Sequence, residues 1–456
     1  MRKYLLAALM LIAALAVLAA CNRDNDGGAA TGDEIITLRY ANWNLGTEEE
    51  NNLERQMVQA FMDEHPNIRI ELVSVDGPWM EGLATLASTG DLPDVFMVDD
   101  TGAKAAHGWL RDITDISNAD AEFLNLPASI REASAIGGVV YTVPFAQFMM
   151  GYFVNRTLFE ELNLNPPEFG ISVDAFLDLV RQTTDLNRPT IGLNYSNNFI
   201  YWLPAARNPN FGFFGYDGTA YVLNSPEMIE AVNLAAELSA TGMTFIGLDY
   251  DQREVFPMSW AGGNFNHGHV AFAYDGSWAL GHLPRYAEEH GFELDFIGVP
   301  GGRSVIVLDI MGVAYTTQYP EEAYKFARWM GHGVDGYLRR MEIARENNIT
   351  INSVPVSTHP RVLEVFHEMV TLPGMHAALA NMDDALIDGN KIIPGHRDGR
   401  FYASTGVYIP DRYDNATVNQ VIHFSIVGEL NFADHADAVN AASRAAMEAA
   451  RAAIGN

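Results

Sequence analysis

The chain has 456 residues, with 58 acidic against 28 basic side chains, and its formal charge is −30. Binding to a phosphate backbone needs clustered Lys and Arg, so this balance argues against a nucleic-acid partner. The single cysteine excludes an internal disulfide and a metal cluster built from several cysteines. The length suggests two or three domains, each of which can bury its own core.

The first 20 residues follow the plan of a signal peptide. Arg2 and Lys3 precede an apolar run, Leu5–Ala20, that is shorter than the roughly 20 residues a spanning helix needs. The run ends in Leu18-Ala-Ala-Cys21, which resembles a bacterial lipobox and implies that the chain is cut before Cys21 and lipidated on its sulfur. Residues 21–34 are polar and rich in glycine, which favours a flexible tether. The alternative is an uncleaved membrane anchor in which Cys21 is incidental.

Strand and helix patterns alternate from Ile35 onwards. Apolar or alternating segments predict the strands Ile35–Ala41, Ile68–Val75, Val95–Val98, Val139–Val143, Met149–Val154, Thr190–Leu193, His269–Tyr274, Glu293–Val299 and Val305–Tyr315. Helical spacing and capping signals predict helices that begin near Thr47, Trp79, Ser172, Ser225, Pro320 and Ala433. Repeated strand–helix units favour an α/β fold with parallel strands.

Local patterns within Ile35–Met341 together carry a specific resemblance. The segments are Tyr40–Trp43, Phe61–Pro66, Asp91–Phe96, Tyr141–Phe145, Tyr152–Phe159, Asn224–Pro226, Gly268–Phe272, Asp275–Trp278 and Pro320–Phe326. In this order and spacing they resemble the extracellular solute-binding proteins of ABC importers, in particular the sugar-binding family that includes maltose-binding protein. Residues 372–413 form a longer segment than this family usually has.

The resemblance implies a two-lobed periplasmic-binding-protein-like fold, with a hinge and a ligand cleft between the lobes. Residues 35–146 and about 308–360 would form the first lobe, and residues 147–307 and about 361–456 the second. The chain would cross between lobes near Phe145–Gln147 and return near Val307–Gly312. The implied partners are a sugar or oligosaccharide and the transmembrane subunits of a permease. The protein would be a monomer, lipid-anchored on the extracellular or periplasmic side of the membrane.

Aromatic residues in the predicted loops are the first candidates for the sugar site, because a flat apolar face suits a pyranose ring. Trp43 and Trp79 follow the first and second strands. Trp202, accompanied by Asn197 and Phe199, and Trp278 match aromatic positions of the family's cleft. For each tryptophan the alternative is packing inside a lobe.

Polar candidates follow the same loops and would exchange hydrogen bonds with sugar hydroxyls. They are Asn44, Glu48, Asp99, Asp100, Gln147 and Asp309. Glu48 has an alternative role at a helix N-terminus, and Asp99 and Asp100 have one in a solvated loop. Gln147 lies where the family often places a ligand contact. Asp309 stands in an apolar strand, where an acid needs a reason.

Motifs for catalysis, cofactors and metals are missing from the sequence: it has no GxSxG, P-loop, GxGxxG or HExxH pattern. The sequence therefore predicts a binding protein without a cofactor or catalytic residues. Two alternatives stay open. One is a surface lipoprotein hydrolase that uses Asp99 or Asp100 together with Asp309. The other is a sensory or structural lipoprotein that has kept the fold and lost its ligand.

Overall fold

Residues 35–454 are the part of the chain that the computed structural model describes. The predicted signal peptide, Cys21 and the tether up to residue 34 lie outside the described residues. Within the described part, strands and helices alternate as predicted, so the α/β fold class is confirmed.

Thirteen strands are present in residues 35–454, nine of them in one mixed sheet. The strands are β1 Ile36–Ala41, β2 Ile68–Leu72, β3 Val95–Val98, β4 Ala135–Ile136, β5 Val139–Val140, β6 Thr142–Asn155, β7 Ile191–Leu193, β8 Val270–Gly276, β9 Leu294–Phe296, β10 Val305–Val313, β11 Leu386–Ile387, β12 Ser404–Ile409 and β13 Tyr413–Thr417. The sheet order is β2-β1-β3-β10-β6-β8-β7, while β11 pairs with β10 and β9 with β6. The pairs β4–β5 and β12–β13 form separate two-stranded sheets.

Helices cover the sheet and close both lobes. They are α1 Leu53–Glu64, α2 Trp79–Ser88, α3 Thr101–Ala106, α4 Thr114–Ala119, α5 Ala121–Leu124, α6 Ala128–Ala133, α7 Arg156–Glu161, α8 Val173–Thr183, α9 Phe199–Arg207, α10 Pro226–Ala240, α11 Tyr250–Arg253, α12 Ala261–Asn266, α13 Leu283–His290, α14 Pro320–Met330, α15 Val334–Glu346, α16 Pro360–Met369, α17 Pro373–Leu379, α18 Val418–Ile426 and α19 Ala436–Ile454. Among residues 35–454, no helix is both long and apolar enough to span a bilayer.

Strands β6 and β10 run side by side through the middle of the sheet and join its two halves. They are antiparallel, with Thr142 opposite Gly312 at one end and Met150 opposite Val305 at the other. The register shifts between Asp309 and Ile310. On one side β10 pairs with β3, and on the other β6 pairs with β8. Strands β1–β3 thus lie on one side of the central pair and β7–β9 on the other. The part of the structure around β1–β3 is called the first lobe below, and the part around β7–β9 the second lobe.

Several predicted elements have different bounds in the structure, and the first helix and the strands on either side of Gln147 differ most. The first helix begins at Leu53, with Asn52 as its N-cap, and not near Thr47. Thr47 and Glu50 do exchange the two hydrogen bonds of a capping box, yet they close a turn that precedes the helix. The predicted strands Val139–Val143 and Met149–Val154 are instead a short β5 and the single 14-residue β6. The polar Gln147 breaks the apolar pattern without breaking the strand.

Two large apolar clusters fill the described part of the chain, and a third, smaller one lies between α15 and α16. The larger fills the first lobe around Phe61 and Phe96 and continues under one face of the sheet into the second lobe. The other fills the second lobe around Phe176 and Phe272, and α19 closes it through Met447. Burying an aliphatic or aromatic side chain contributes about 1.5–3 kcal/mol each, so these clusters supply the main stabilisation of the framework that carries the site.

Candidate ligand-binding cleft

Trp43 and Trp79 meet where the first lobe's strands end. Their rings are 5.2 Å apart between centroids, in a T-shaped arrangement at 78°. The indole nitrogen of Trp79 donates to the carbonyl of Met97 at 3.2 Å, which fixes the ring against β3. Both side chains are partly buried, so each keeps some surface for a ligand. The structure thus brings together two tryptophans that the sequence placed in separate loops.

Asn44 lies beside this pair, whereas Glu48 does not. Asn44 is exposed, and its backbone N–H donates to the side chain of Asn42 at 2.7 Å, which shapes the loop after β1. Glu48 lies instead at a separate surface depression that it shares with Arg55 and Gln59 of α1. Its predicted role in ligand binding is therefore not supported by its position.

Asp99 and Asp100 end β3, and each has a local partner. Asp99 forms an ion pair of 2.6 Å with the almost completely buried Lys104. Asp100 is the N-cap of α3 and accepts from the backbone N–H of Ala103 at 2.9 Å. Burial raises the pKa of Asp100. Both carboxylates remain partly exposed, so their outer oxygens can still accept hydrogen bonds from a ligand.

Gln147 and Asp309 lie on opposite faces of the central strands. Asp309 lies opposite Ala146 in the neighbouring strand, so these two side chains share one face of the sheet. Because side chains alternate along a strand, Phe148 lies on that same face and Gln147 on the other. Gln147 is fully buried, and its side-chain nitrogen donates to the carbonyl of Pro355 at 2.5 Å. The prediction that Gln147 contacts the ligand is therefore wrong for this arrangement. Asp309 lies on the expected face and forms an ion pair with Lys391.

Lys391 is a cleft residue that the sequence did not reveal. Besides Asp309, its ammonium group contacts the carbonyl of Leu308 at 3.3 Å and lies 5.7 Å from the ring centroid of Trp43. The positive charge of Lys391 compensates the carboxylate of Asp309, which explains why an acid is tolerated inside an apolar strand. The available signal was weak: Lys391 is one of four lysines in the chain and falls in the segment that is longer than usual.

The segment Met382–Tyr402, here called the bridging segment, carries Lys391 between the lobes. On the first-lobe side, the hydroxyl of Ser129 donates to the carbonyl of Met382 at 2.7 Å. The backbone N–H and hydroxyl of Thr101 both donate to the carbonyl of Lys391 at 2.9 Å.

On the second-lobe side, the bridging segment is held by side chains and by close packing. His396 hydrogen-bonds to the hydroxyl of Tyr221, and Arg400 donates to the hydroxyl of Tyr201. Gly395 has a φ of +75°, and a Cβ there would come within 2.8 Å of the Cα of Met447 in α19. The bridging segment therefore needs glycine at this contact.

Asp275 of β8 and Trp278, which follows that strand, lie next to the central strand β6. Trp278 is 39% exposed, and its ring centroid lies 5.9 Å from that of Phe148 on β6. Its indole nitrogen donates to the Asp275 carboxylate at 2.6 Å, which orients the ring. Burial raises the pKa of Asp275. An oriented indole beside a carboxylate suits a ring that carries hydroxyl groups.

Trp202 and Phe199 do not face the cleft. Both are fully buried in the second lobe, and the Trp202 ring lies at right angles to that of Phe176, 6.3 Å away. The indole nitrogen of Trp202 is used internally, by a hydrogen bond to Asn198. The expectation of an aromatic platform at these residues is corrected: they are core residues. Their neighbour Asn197 is exposed.

Two cavities adjoin the Lys391–Asp309 pair. The inner cavity, of about 480 Å³, is bordered by Asn44, Phe148 and Asp309 and by the partly buried ion pair between Glu54 and Arg340. The outer groove, of about 820 Å³, is bordered by Lys391, Asp99 and Asp100 and by the exposed Met80 and Tyr402. Lys391 and Asp309 thus stand between two spaces that together exceed the roughly 300–1,000 Å³ of a usual small-molecule site.

Comparison with known proteins identifies the family. The family model described as bacterial extracellular solute-binding protein matches residues 46–331. The multiple sugar-binding protein of Streptococcus mutans is 23% identical over 337 residues, covering 69% of this chain and 75% of that protein. The melibiose/raffinose/stachyose-binding protein of Bacillus subtilis is 25% identical over 177 residues, which is 39% of each chain.

A solved structure agrees over nearly the whole chain. The cyclic alpha-maltosyl-1,6-maltose binding protein of Arthrobacter globiformis is 20% identical and superimposes with a TM-score of 0.65, covering 91% of this chain and 99% of that one. At this identity the likeness shows the fold, and the two-lobed fold is therefore confirmed. The family match spans more than half of the sequence, and the chain accordingly belongs to the bacterial extracellular solute-binding proteins.

Proposed function

We propose that this protein captures a sugar or oligosaccharide between its lobes and delivers it to the permease of an ABC importer. The observation that carries the proposal is the pair of aromatic walls at the central strands. Trp43 and Trp79 come from the first lobe, and Trp278 with Phe148 from the second lobe and β6. Relatives named as sugar-binding proteins support the same ligand class.

The proposed ligand contacts are the members of the predicted set that keep exposed surface near the ends of the central strands and β3, together with two residues found in the structure. The set is Trp43, Asn44, Trp79, Asp99, Asp100, Trp278 and Asp309, with Lys391 and Asp275 added. The tryptophans would stack on pyranose rings, and the carboxylates and Lys391 would exchange hydrogen bonds with hydroxyls.

Closure of the lobes is the proposed conformational step. A ligand favours the closed form only if it contacts both lobes in that form. The proposed aromatic walls meet this condition, because one comes from each lobe. The register shift at Asp309 lies in the strands that join the lobes, so bending at that point would move the walls towards each other. The protein would perform no bond-making step.

A glycan panel tests the proposal. Purified protein is heated with each of a set of mono-, di- and oligosaccharides, and a bound sugar raises the melting temperature by mass action. Chromatography of the same mixtures then detects any change to the glycan. A raised melting temperature with intact glycan is the expected result. Glycan turnover would favour the hydrolase, and no shift with any sugar would favour the sensory or structural lipoprotein.

Lipid anchoring through Cys21 is proposed on the Leu18–Cys21 pattern alone. It would hold the protein on the extracellular or periplasmic side, which agrees with the extracellular family. Cys21→Ser should move the protein from the detergent phase to the aqueous phase in a Triton X-114 partition, with unchanged sugar affinity. A wild-type protein found in the aqueous phase would contradict the anchor.

A further inference from the structure

The outer groove and the proposed sugar site share the residue Lys391. Lys391 borders the groove and also reaches Asp309 and the ring of Trp43. Asp99 and Asp100, at the end of β3, border it as well. Lys391 therefore links the groove to Trp43, and a ligand that lies against Trp43 and passes Lys391 would enter the groove.

The groove has the two kinds of surface that bind sugars. Tyr402 of the bridging segment is 58% exposed, Met80 of α2 is 43% exposed, and both side chains border the groove. The guanidinium of Arg397 lies 5.6 Å from the ring centroid of Tyr402 and supplies hydrogen-bond donors next to it. Asp99 and Asp100 supply acceptors. An aromatic face flanked by charged donors and acceptors fits a hydroxylated ring better than a purely apolar group.

The size of the groove indicates a long ligand. Its volume of about 820 Å³ is larger than the 480 Å³ of the inner cavity. A monosaccharide or disaccharide held at Trp43 would leave the groove to water. An oligosaccharide would use both spaces, and its outer unit would come next to Tyr402.

We propose that the outer groove is an additional sugar subsite in which Tyr402 is the stacking residue, and that the ligand is an oligosaccharide longer than a disaccharide. This inference rests on the proposed function. It adds a contact from the bridging segment, which lies outside the matched residues 46–331. Tyr402 then determines selectivity for ligand length, because it contacts only the outer sugar unit of a long ligand. The tryptophans bind the units that short and long ligands share.

The test compares affinities along two series of sugars by isothermal titration calorimetry. The first series is melibiose, raffinose and stachyose, and the second is maltose, maltotriose and maltotetraose. In at least one series, affinity of the wild-type protein should rise with length. Tyr402→Ala should weaken binding of the tetrasaccharide about tenfold and that of the disaccharide no more than about twofold, as expected for loss of one stacked ring.

Tyr408→Ala is the matched control. Tyr408 is 60% exposed on β12 and does not border the groove, so its loss should leave every affinity unchanged. Equal losses for short and long sugars in Tyr402→Ala, or no loss for either, would overturn the subsite while the proposed function stands. A wild-type protein that binds no sugar of either series or of the glycan panel would overturn the proposed function and the subsite with it.

Discussion

Replacing Lys391 by methionine removes the ammonium group that compensates Asp309, and it keeps most of the aliphatic stem. In the structure the side chains of Lys391 and Asp309 are 18% and 10% exposed, so the carboxylate would remain in a largely dry position. Breaking a buried ion pair by removing one partner costs about 3–5 kcal/mol. Because this pair keeps some access to water, we expect a loss near the lower end, about 3 kcal/mol of unfolding free energy.

The measurement is urea unfolding at 25 °C, followed by circular dichroism, with linear extrapolation to water. The double variant Asp309→Asn with Lys391→Met should recover more than half of the loss, since it leaves no unpaired charge. Lys325→Met is the control: Lys325 is exposed on α14, and its loss should change stability by no more than about 0.5 kcal/mol. A loss below about 1 kcal/mol in Lys391→Met, or strictly additive losses in the double variant, would refute the pairing argument.

Three further predictions concern an exposed tryptophan, a buried tryptophan and the pH dependence of stability. Trp278→Ala should weaken sugar binding by about 1–3 kcal/mol, measured by calorimetry, because the ring is proposed to stack on the sugar. Its effect on stability should be small, because the ring is 39% exposed. Trp202→Ala should instead lower the free energy of unfolding by about 3–5 kcal/mol, because it empties a fully buried position; equal stability of the two variants would contradict this assignment. Burial lowers the pKa of His396 to about 3, and the nearby charge of Arg400 adds to the effect. The imidazole of the unfolded chain therefore becomes protonated as the pH falls below about 6.5, whereas that of the folded chain stays neutral. The free energy of unfolding should therefore fall as the pH drops below about 6.5, by at most about 1.4 kcal/mol per pH unit for this group. In melting curves recorded between pH 6.5 and 4, the melting temperature of His396→Asn should depend less steeply on pH than that of the wild type. An unchanged dependence would show that His396 is not responsible.

The order of elements could be predicted from the sequence because it depends on local patterns. The N-cap at Ser225 with Pro226 at the first helical turn, and the buried strand Val95–Val98, were found at their positions. Trp43 and Trp79 could be proposed because each follows a strand, and a parallel sheet gathers such loops at one edge. That they touch each other depends on the fold.

Some residues were wrongly predicted to contact the ligand, and for these the sequence pattern already favours a buried position. Phe199, Trp202 and Leu203 have the spacing of one helix face, which is typical of a core stripe, and all three are buried in α9. Gln147 and Met149 are two residues apart in β6, so their side chains lie on the same face of the sheet. The apolar Met149 therefore already indicated that Gln147 is on the buried face. The pairing of Lys391 with Asp309 links positions 82 residues apart, and no local pattern predicts such a contact.

The central position of β10 has a consequence for how the protein is made. This strand lies between β3 and β6 and bonds to both, yet it is encoded after residue 300. Until the ribosome has delivered it, β3 and β6 each lack a neighbour, and neither lobe can complete its sheet. Unpaired strand edges promote association between chains. We therefore expect fragments that end before Val305 to aggregate, and we expect such a fragment to fold when it is co-expressed with residues 303–456 as a separate chain.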